Sequence, residues 1–94
     1  MKYPDENSHS AKLYKKALQV MPGGNTRNQA FVPPHHLYAD HGEGCRLWDV
    51  DGNERLDFVN NLTVLILGHS NPAVVSALQQ QVGKLVSTAL ATEA

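Results

Sequence analysis

Residues 42–58 read GEGCRLWDVDGNERLDF and carry the strongest structural signal in the sequence. Two short runs, residues 45–49 within it and residues 54–59 at its end and one residue beyond, carry the alternating apolar and polar side chains of half-buried strands. Between them lies Asp51-Gly52-Asn53, a tight-turn signal in which glycine accepts backbone angles that other residues avoid. The stretch therefore predicts a β-hairpin.

A further strand is expected just upstream, at residues 37–39, followed by a turn at residues 41–44. Together the three strands form an antiparallel meander. Alternation along the strands makes Leu47, Leu56 and Phe58 the candidates for its buried side.

Helices are predicted on both sides of the meander. The first is capped by Ser8 or Ser10 and runs to about Val20, where Pro22-Gly23-Gly24 stops it. Its apolar stripe consists of Leu13, Ala17 and Val20.

The second helix starts at Pro72, with Ser70 or Asn71 as its cap. Its apolar face consists of Val75, Leu78 and Val82. An apolar segment of undetermined type, residues 62–67, precedes it. The pattern of helix, meander and helix is that of an α+β fold.

Composition narrows the class of protein. The 94 residues are 41% hydrophobic and 18% charged with a net charge of −1, values typical of a globular chain. Neither nucleic acid nor a membrane is an expected partner, since basic clusters and long apolar runs are missing from the sequence. A lone cysteine, Cys45, excludes an internal disulfide and is expected to be a small buried side chain. With no signal peptide visible, a cytoplasmic location is expected. The chain stops at Ala94 without a helix-ending signal, which suggests truncation.

The sequence does not match a calcium loop or a metal site. Asp49 begins a calcium-like stretch, but the glycine comes fourth instead of sixth and Asn60 stands where a bidentate glutamate belongs. The histidines at 35, 36, 41 and 69 lack metal-ligand spacing and are read as surface or loop residues. Residue patterns alone thus give a fold class and no mechanism.

Read in order, the motifs resemble the start of class III aminotransferases. They are Pro22-Gly23-Gly24, the 42–58 stretch, and Leu67-Gly68-His69-Ser70-Asn71-Pro72. The resemblance covers residues 8–94 and extends to glutamate-1-semialdehyde aminomutases and β-amino-acid aminotransferases. It implies a type I pyridoxal-phosphate enzyme, a homodimer, of which residues 1–94 are the N-terminal segment of the small domain. The family's Schiff-base lysine has no counterpart among Lys2, Lys12, Lys15, Lys16 and Lys84, so the segment alone is expected to be inactive and no catalytic residue is assigned.

What the resemblance does supply is a substrate side. In the β-amino-acid branch, an arginine just after the "PG-x-N-S/T" turn binds the substrate carboxylate, and the matching residue is Arg27. Leu62 stands where relatives often carry an aromatic residue beside the substrate, and Asn61 and Thr63 flank it. These four residues are the predicted substrate-binding set.

Three functions remain open at this point. The first is a pyridoxal-phosphate aminotransferase that moves an amino group between an amino acid and a keto acid or aldehyde. The second is a glutamate-1-semialdehyde aminomutase, although Gln29 replaces the arginine that precedes Ala-Phe in mutases. The third is a short binding or dimerisation module without catalysis.

Overall fold

The computed structural model describes residues 3–27 and 31–93. Its elements confirm the predicted α+β class, with a three-stranded antiparallel sheet in the order β1-β2-β3. In chain order they are α1 (His9–Ala17), a 3-10 turn (Pro22–Gly24), β1 (Ala39–Glu43), β2 (Arg46–Asp49), β3 (Glu54–Leu56), the four-residue α2 (Asn60–Thr63) and α3 (Pro72–Val82).

The meander forms where the sequence predicts it, but its first strand is shifted. β1 begins at Ala39 and pairs through Glu43 with Arg46, so residues 41–43, predicted as a turn, belong to the strand. The chain reverses at Gly44, whose φ of 55° lies in the left-handed region that favours glycine. Because Gly44 supplies the left-handed conformation at the turn, residues 41–43 can pair with β2.

The burial expected for the sheet is mostly wrong. Leu47 is half-buried, but Leu56 is 58% exposed and Phe58 is 91% exposed, because nothing in the described part of the chain covers that face. Cys45 is also exposed, since it follows Gly44 in the turn. Alternation identifies the two faces of a strand, but it does not supply the layer that buries one of them.

Polar contacts join α1 to the meander. Ser8 caps the helix by accepting from the Ala11 N–H, while the Asp51 carboxylate accepts from the N–H groups of His9 (2.6 Å) and Ser10 (3.1 Å). The Ser10 hydroxyl, fully buried, accepts from the backbone N–H of Tyr38 at 3.2 Å. One serine and one aspartate therefore fix the helix against the strands.

The small core lies at this junction. The buried residues of the described chain are small or polar, namely Ser10, Ala11, Ala17, Gly24, His35 and Asp49. The predicted α1 stripe is wrong at Val20, which is 78% exposed because the helix ends at Ala17.

Helix α3 begins as predicted, with the Asn71 side chain accepting from the N–H groups of Ala73 and Val74 and with Pro72 in its first turn. Its sequence, PAVVSALQQQV, contains no charged residue, yet Leu78 and Val82 are 59% and 63% exposed. No helix in the described ranges is long and apolar enough to cross a membrane.

Candidate functional site

Arg27 lies just after the 3-10 turn (Pro22–Gly24) that follows α1. Gly24, with a φ of 67°, lies against that helix, and a Cβ there would come within 2.8 Å of the Tyr14 ring. The Asn25 side chain then accepts from the Arg27 N–H at 2.7 Å, which folds the backbone into a tight local turn. The close packing of Gly24 and the turn at Asn25 together set the direction in which the exposed Arg27 side chain leaves the backbone.

The other three predicted residues share one unusual element. In α2, four consecutive residues without glycine have left-handed backbone angles, with φ of 52° at Asn60, 50° at Asn61, 57° at Leu62 and 69° at Thr63. A left-handed helical residue costs roughly 1–2 kcal/mol, less for asparagine, whose side chain tolerates this region. Strain of this kind persists where the surroundings fix the backbone, and it is frequent at functional sites.

The structure brings two of the four predicted residues into contact. Arg27 Nη1 donates to Asn61 Oδ1 at 3.0 Å, across 34 positions of sequence. Leu62, 61% exposed, and Thr63, also exposed, follow in the same turn. Among residues 3–27 and 31–93, Asn61 is the side-chain partner of the Arg27 guanidinium, and the fork has five N–H donors with which it can also pair an anion.

A shallow cleft of about 320 Å³ adjoins Arg27. Its lining comes from the 3-10 turn and the segment before β1: Met21, Gly24, Asn25, Thr26, Arg27, His36, Leu37, Tyr38 and Ala39. His36 packs edge-on against Tyr14 and Phe31, with ring centroids 5.3 and 4.9 Å apart. Burial raises the pKa of Tyr38 above its ordinary value, and the nearby Tyr14 adds to this.

The histidines are read as surface or loop residues, and His35 lies in the loop before β1, although it is buried and only 2% exposed. Among the described residues, no three His, Cys, Asp or Glu side chains lie close enough together to hold a metal ion.

A half-buried pair that the sequence did not predict lies behind α2. His69 Nε2 donates to Asp57 Oδ2 at 2.6 Å, and their side chains are 19% and 12% exposed. Asp57 Oδ1 accepts from the N–H groups of Val59 and Asn60, both at 2.9 Å. The hydrogen bond from the Asn60 N–H and that from His69 hold the pKa of the Asp57 carboxyl below its ordinary value. A carboxylate and an imidazole that flank an apolar segment were the only sequence signal of this pair.

The described lysines lie on the surface of the segment. Lys12, Lys15, Lys16 and Lys84 are all exposed, whereas a Schiff-base amine needs a desolvated position. Lys2 lies outside the described residues.

Comparison with known proteins identifies the class. The family model of class-III aminotransferases matches residues 28–94, most of the chain, and the chain belongs to this family.

Particular relatives refine the picture. The chain is 44% identical to glutamate-1-semialdehyde 2,1-aminomutase 1 of Staphylococcus carnosus, over 88% of this chain and 20% of that protein. An omega-transaminase from Sphaerobacter thermophilus superposes with a TM-score of 0.88 at 44% identity, covering 97% of this chain and 21% of that one. A β-phenylalanine aminotransferase from Variovorax paradoxus gives 0.77 at 34% identity, over 92% and 21%. The α+β unit is thus a segment of the transaminase fold, and the chain spans about one fifth of the length of the curated relatives it matches.

Proposed function

We propose that this chain forms the substrate-carboxylate side of a pyridoxal-phosphate-dependent aminotransferase acting on an amino acid. The observation that carries the proposal is the contact between Arg27 and Asn61, which joins two members of the predicted substrate-binding set. The similarity to an omega-transaminase and to a β-phenylalanine aminotransferase supports the same reading.

Arg27 is chemically suited to this role. A guanidinium is planar and permanently charged, and it can pair both oxygens of a carboxylate with two parallel hydrogen bonds. Asn61 Oδ1 takes one N–H of Arg27 and so restricts the rotation of the fork. Leu62 and Thr63, exposed beside Asn61, would contact the rest of the substrate.

The cofactor belongs to the enzyme as a whole. Pyridoxal phosphate supplies the electron sink for amino-group transfer when it is bound. The exposed lysines of this chain do not fit the Schiff-base role, so residues 1–94 are proposed as an N-terminal segment of the class III domain whose lysine lies elsewhere in the protein. A homodimer in the cytoplasm completes the proposal.

Steady-state kinetics of the full-length protein test the role of Arg27. With β-phenylalanine as amino donor, Arg27→Ala should raise KM by about 10- to 100-fold, because hydrogen bonds to charged groups contribute about 1.5–3 kcal/mol. An aryl amine without a carboxylate should be used equally well by both forms. Arg46→Ala, which removes an exposed arginine paired with Glu54, serves as the matched control. An unchanged KM for the carboxylate substrate would refute the proposed role.

An aminomutase is the second candidate, favoured by the 44% identity to the Staphylococcus carnosus enzyme of that name. A mutase shifts the amino group within one substrate and needs no external acceptor. Incubating the enzyme with glutamate-1-semialdehyde alone separates the two. Sustained turnover without an added keto acid or aldehyde would favour the mutase, and strict dependence on an acceptor would eliminate it.

A further inference from the structure

The left-handed turn α2 needs an explanation, because four non-glycine residues in this conformation are unfavourable in isolation. Its own backbone bonds close little more than one turn: the N–H groups of Val64 and Leu65 both donate to the Asn60 carbonyl, and the Thr63 N–H donates to Val59 at 3.2 Å. The conformation must therefore be imposed by the chain on either side of it.

Both ends of the segment that contains α2 are fixed to one turn of the sheet. The Asp57 N–H donates to the Cys45 carbonyl at 2.9 Å. Twelve residues later, His69 and Gly44 exchange two backbone hydrogen bonds, of 2.8 and 3.0 Å. Residues 58–68 thus form a loop, and the residues at its two ends, Asp57 and His69, are both hydrogen-bonded to the Gly44–Cys45 turn.

The side chains of these two end residues, Asp57 and His69, also bind each other and so close the loop. Asp57 divides its carboxylate, with one oxygen on the N–H groups that open α2 and the other on His69 Nε2. The imidazole lies on Gly42 of β1, where a Cβ would come within 2.6 Å of His69 Cγ. Because Gly42 has no side chain, the His69 imidazole can lie against the backbone of β1. The imidazole in turn positions the Asp57 carboxylate, which binds the N–H groups at the start of α2.

We propose that Asp57 and His69 are positioning residues for the substrate-carboxylate subsite. By fixing the start of α2 they hold Asn61 where its side-chain oxygen meets Arg27 at 3.0 Å. Neither residue touches the substrate in this assignment. The inference rests on the proposed function, since it takes Arg27 to be the carboxylate ligand.

Kinetics of the full-length enzyme with β-phenylalanine form the first test. His69→Ala should raise KM about 5- to 20-fold with little change in kcat, because the guanidinium loses its fixed orientation while the reacting centre is untouched. His69→Gln, whose amide can still donate to Asp57, should recover most of the loss. In an Arg27→Ala background, His69→Ala should have no further effect on KM. An equal rise in that background would overturn the proposal, because it would mark a general structural defect.

A second variant protects the test against misfolding. Gly42→Ala pushes on the imidazole without removing a hydrogen-bonding group, and should reproduce the rise in KM. The matched control is His41→Ala, which breaks an exposed His–Asp pair of 2.7 Å whose side chains are more than 60% exposed. A rise in KM with the control as large as that with His69→Ala would contradict the assignment.

Hydrogen exchange separates this inference from the proposed function. His69→Ala should speed exchange of the Val59 and Asn60 amides by about tenfold or more, with no substrate present. If Arg27→Ala leaves KM unchanged, the proposed function fails, and exchange alone then decides whether Asp57 and His69 fix the turn. Unaltered exchange in His69→Ala overturns the positioning role in either case.

Discussion

The substitution Asp49→Asn tests how far the Asp49 carboxylate stabilises the hairpin formed by β2 and β3. The Asp49 side chain is only 3% exposed. Its Oδ1 accepts from the backbone N–H groups of Asp51 at 3.1 Å and Asn53 at 2.8 Å, and its Oδ2 accepts from Arg55 Nη2 at 3.0 Å. Asparagine keeps the shape and the Oδ1 bonds, but it turns an NH₂ group towards the guanidinium of Arg55.

The expected loss follows from burial. A hydrogen bond to a charged group contributes about 1.5–3 kcal/mol when shielded from water, and Asp49→Asn should lose an amount of this order. Glu54→Gln on the same hairpin is the control. It breaks the ion pair with Arg46, whose 2.6 Å distance is shorter but whose side chains are 55% and 46% exposed. An exposed pair contributes about 0–1 kcal/mol.

Hydrogen exchange of the hairpin amides is the assay, read at Gly52 and Asn53. Asp49→Asn should accelerate their exchange about tenfold or more, and Glu54→Gln by about fivefold or less. Equal acceleration by the two variants would refute the argument from burial.

The loss of stability caused by Asp49→Asn should also depend on pH. Burial acts to raise the pKa of Asp49, but hydrogen bonds from Asn53, Arg55 and the Asp51 N–H outweigh it and leave the pKa below its ordinary value. A pKa that is lower in the folded state stabilises that state at pH values above the unfolded pKa. This stability is lost as the pH falls through the folded pKa. The difference between Asp49→Asn and the wild type should therefore be full at neutral pH and shrink below about pH 4. A gap that stays constant into acid would contradict the assignment.

Three further predictions concern stability and can be checked by thermal unfolding or by local hydrogen exchange. Ser10→Ala should cost about 1–3 kcal/mol, because it leaves the part-buried N–H of Tyr38 without its acceptor; a Cys in place of Ser10 should restore little of it. Asn71→Ala should cost about 1 kcal/mol and speed exchange only in the first turn of α3, since it removes a helix cap. Thr63→Gly should stabilise by about 0.5–1 kcal/mol, because glycine relieves a φ of 69° at a β-branched residue and gives back part of the gain as unfolded-state entropy. A destabilised Thr63→Gly would mean that α2 is not strained.

Local signals predicted much of the fold. The turn at Asp51-Gly52 and the start of α3 depend on a few adjacent residues, and both formed as expected. The boundaries of β1 and β3 were less predictable. β1 extends through residues read as a turn, and β3 stops at Leu56 because Asp57 bends the chain by capping the next element.

The candidate site was predictable only as a set of positions. Arg27 and Asn61 were selected by resemblance, and nothing local to either residue says that they meet 34 positions apart. The Asp57–His69 pair and the left-handed α2 arise from tertiary contacts with the Gly44–Cys45 turn, for which propensity carries no signal. Burial was overestimated at Leu56 and Phe58 for the same reason, since it depends on what packs over a face.

The short loop between Asp57 and His69 also has a kinetic consequence. Closing a chain costs entropy that grows with the length enclosed, so contacts between near neighbours form first. Asp49 and Arg55 are 6 positions apart and Asp57 and His69 are 12 apart, whereas Arg27 and Asn61 are separated by 34. The hairpin and its closed loop should assemble early in folding, and Arg27 should then dock onto a turn that is already set. The carboxylate subsite would thus form after the hairpin and its closed loop, and it would be lost before them on unfolding.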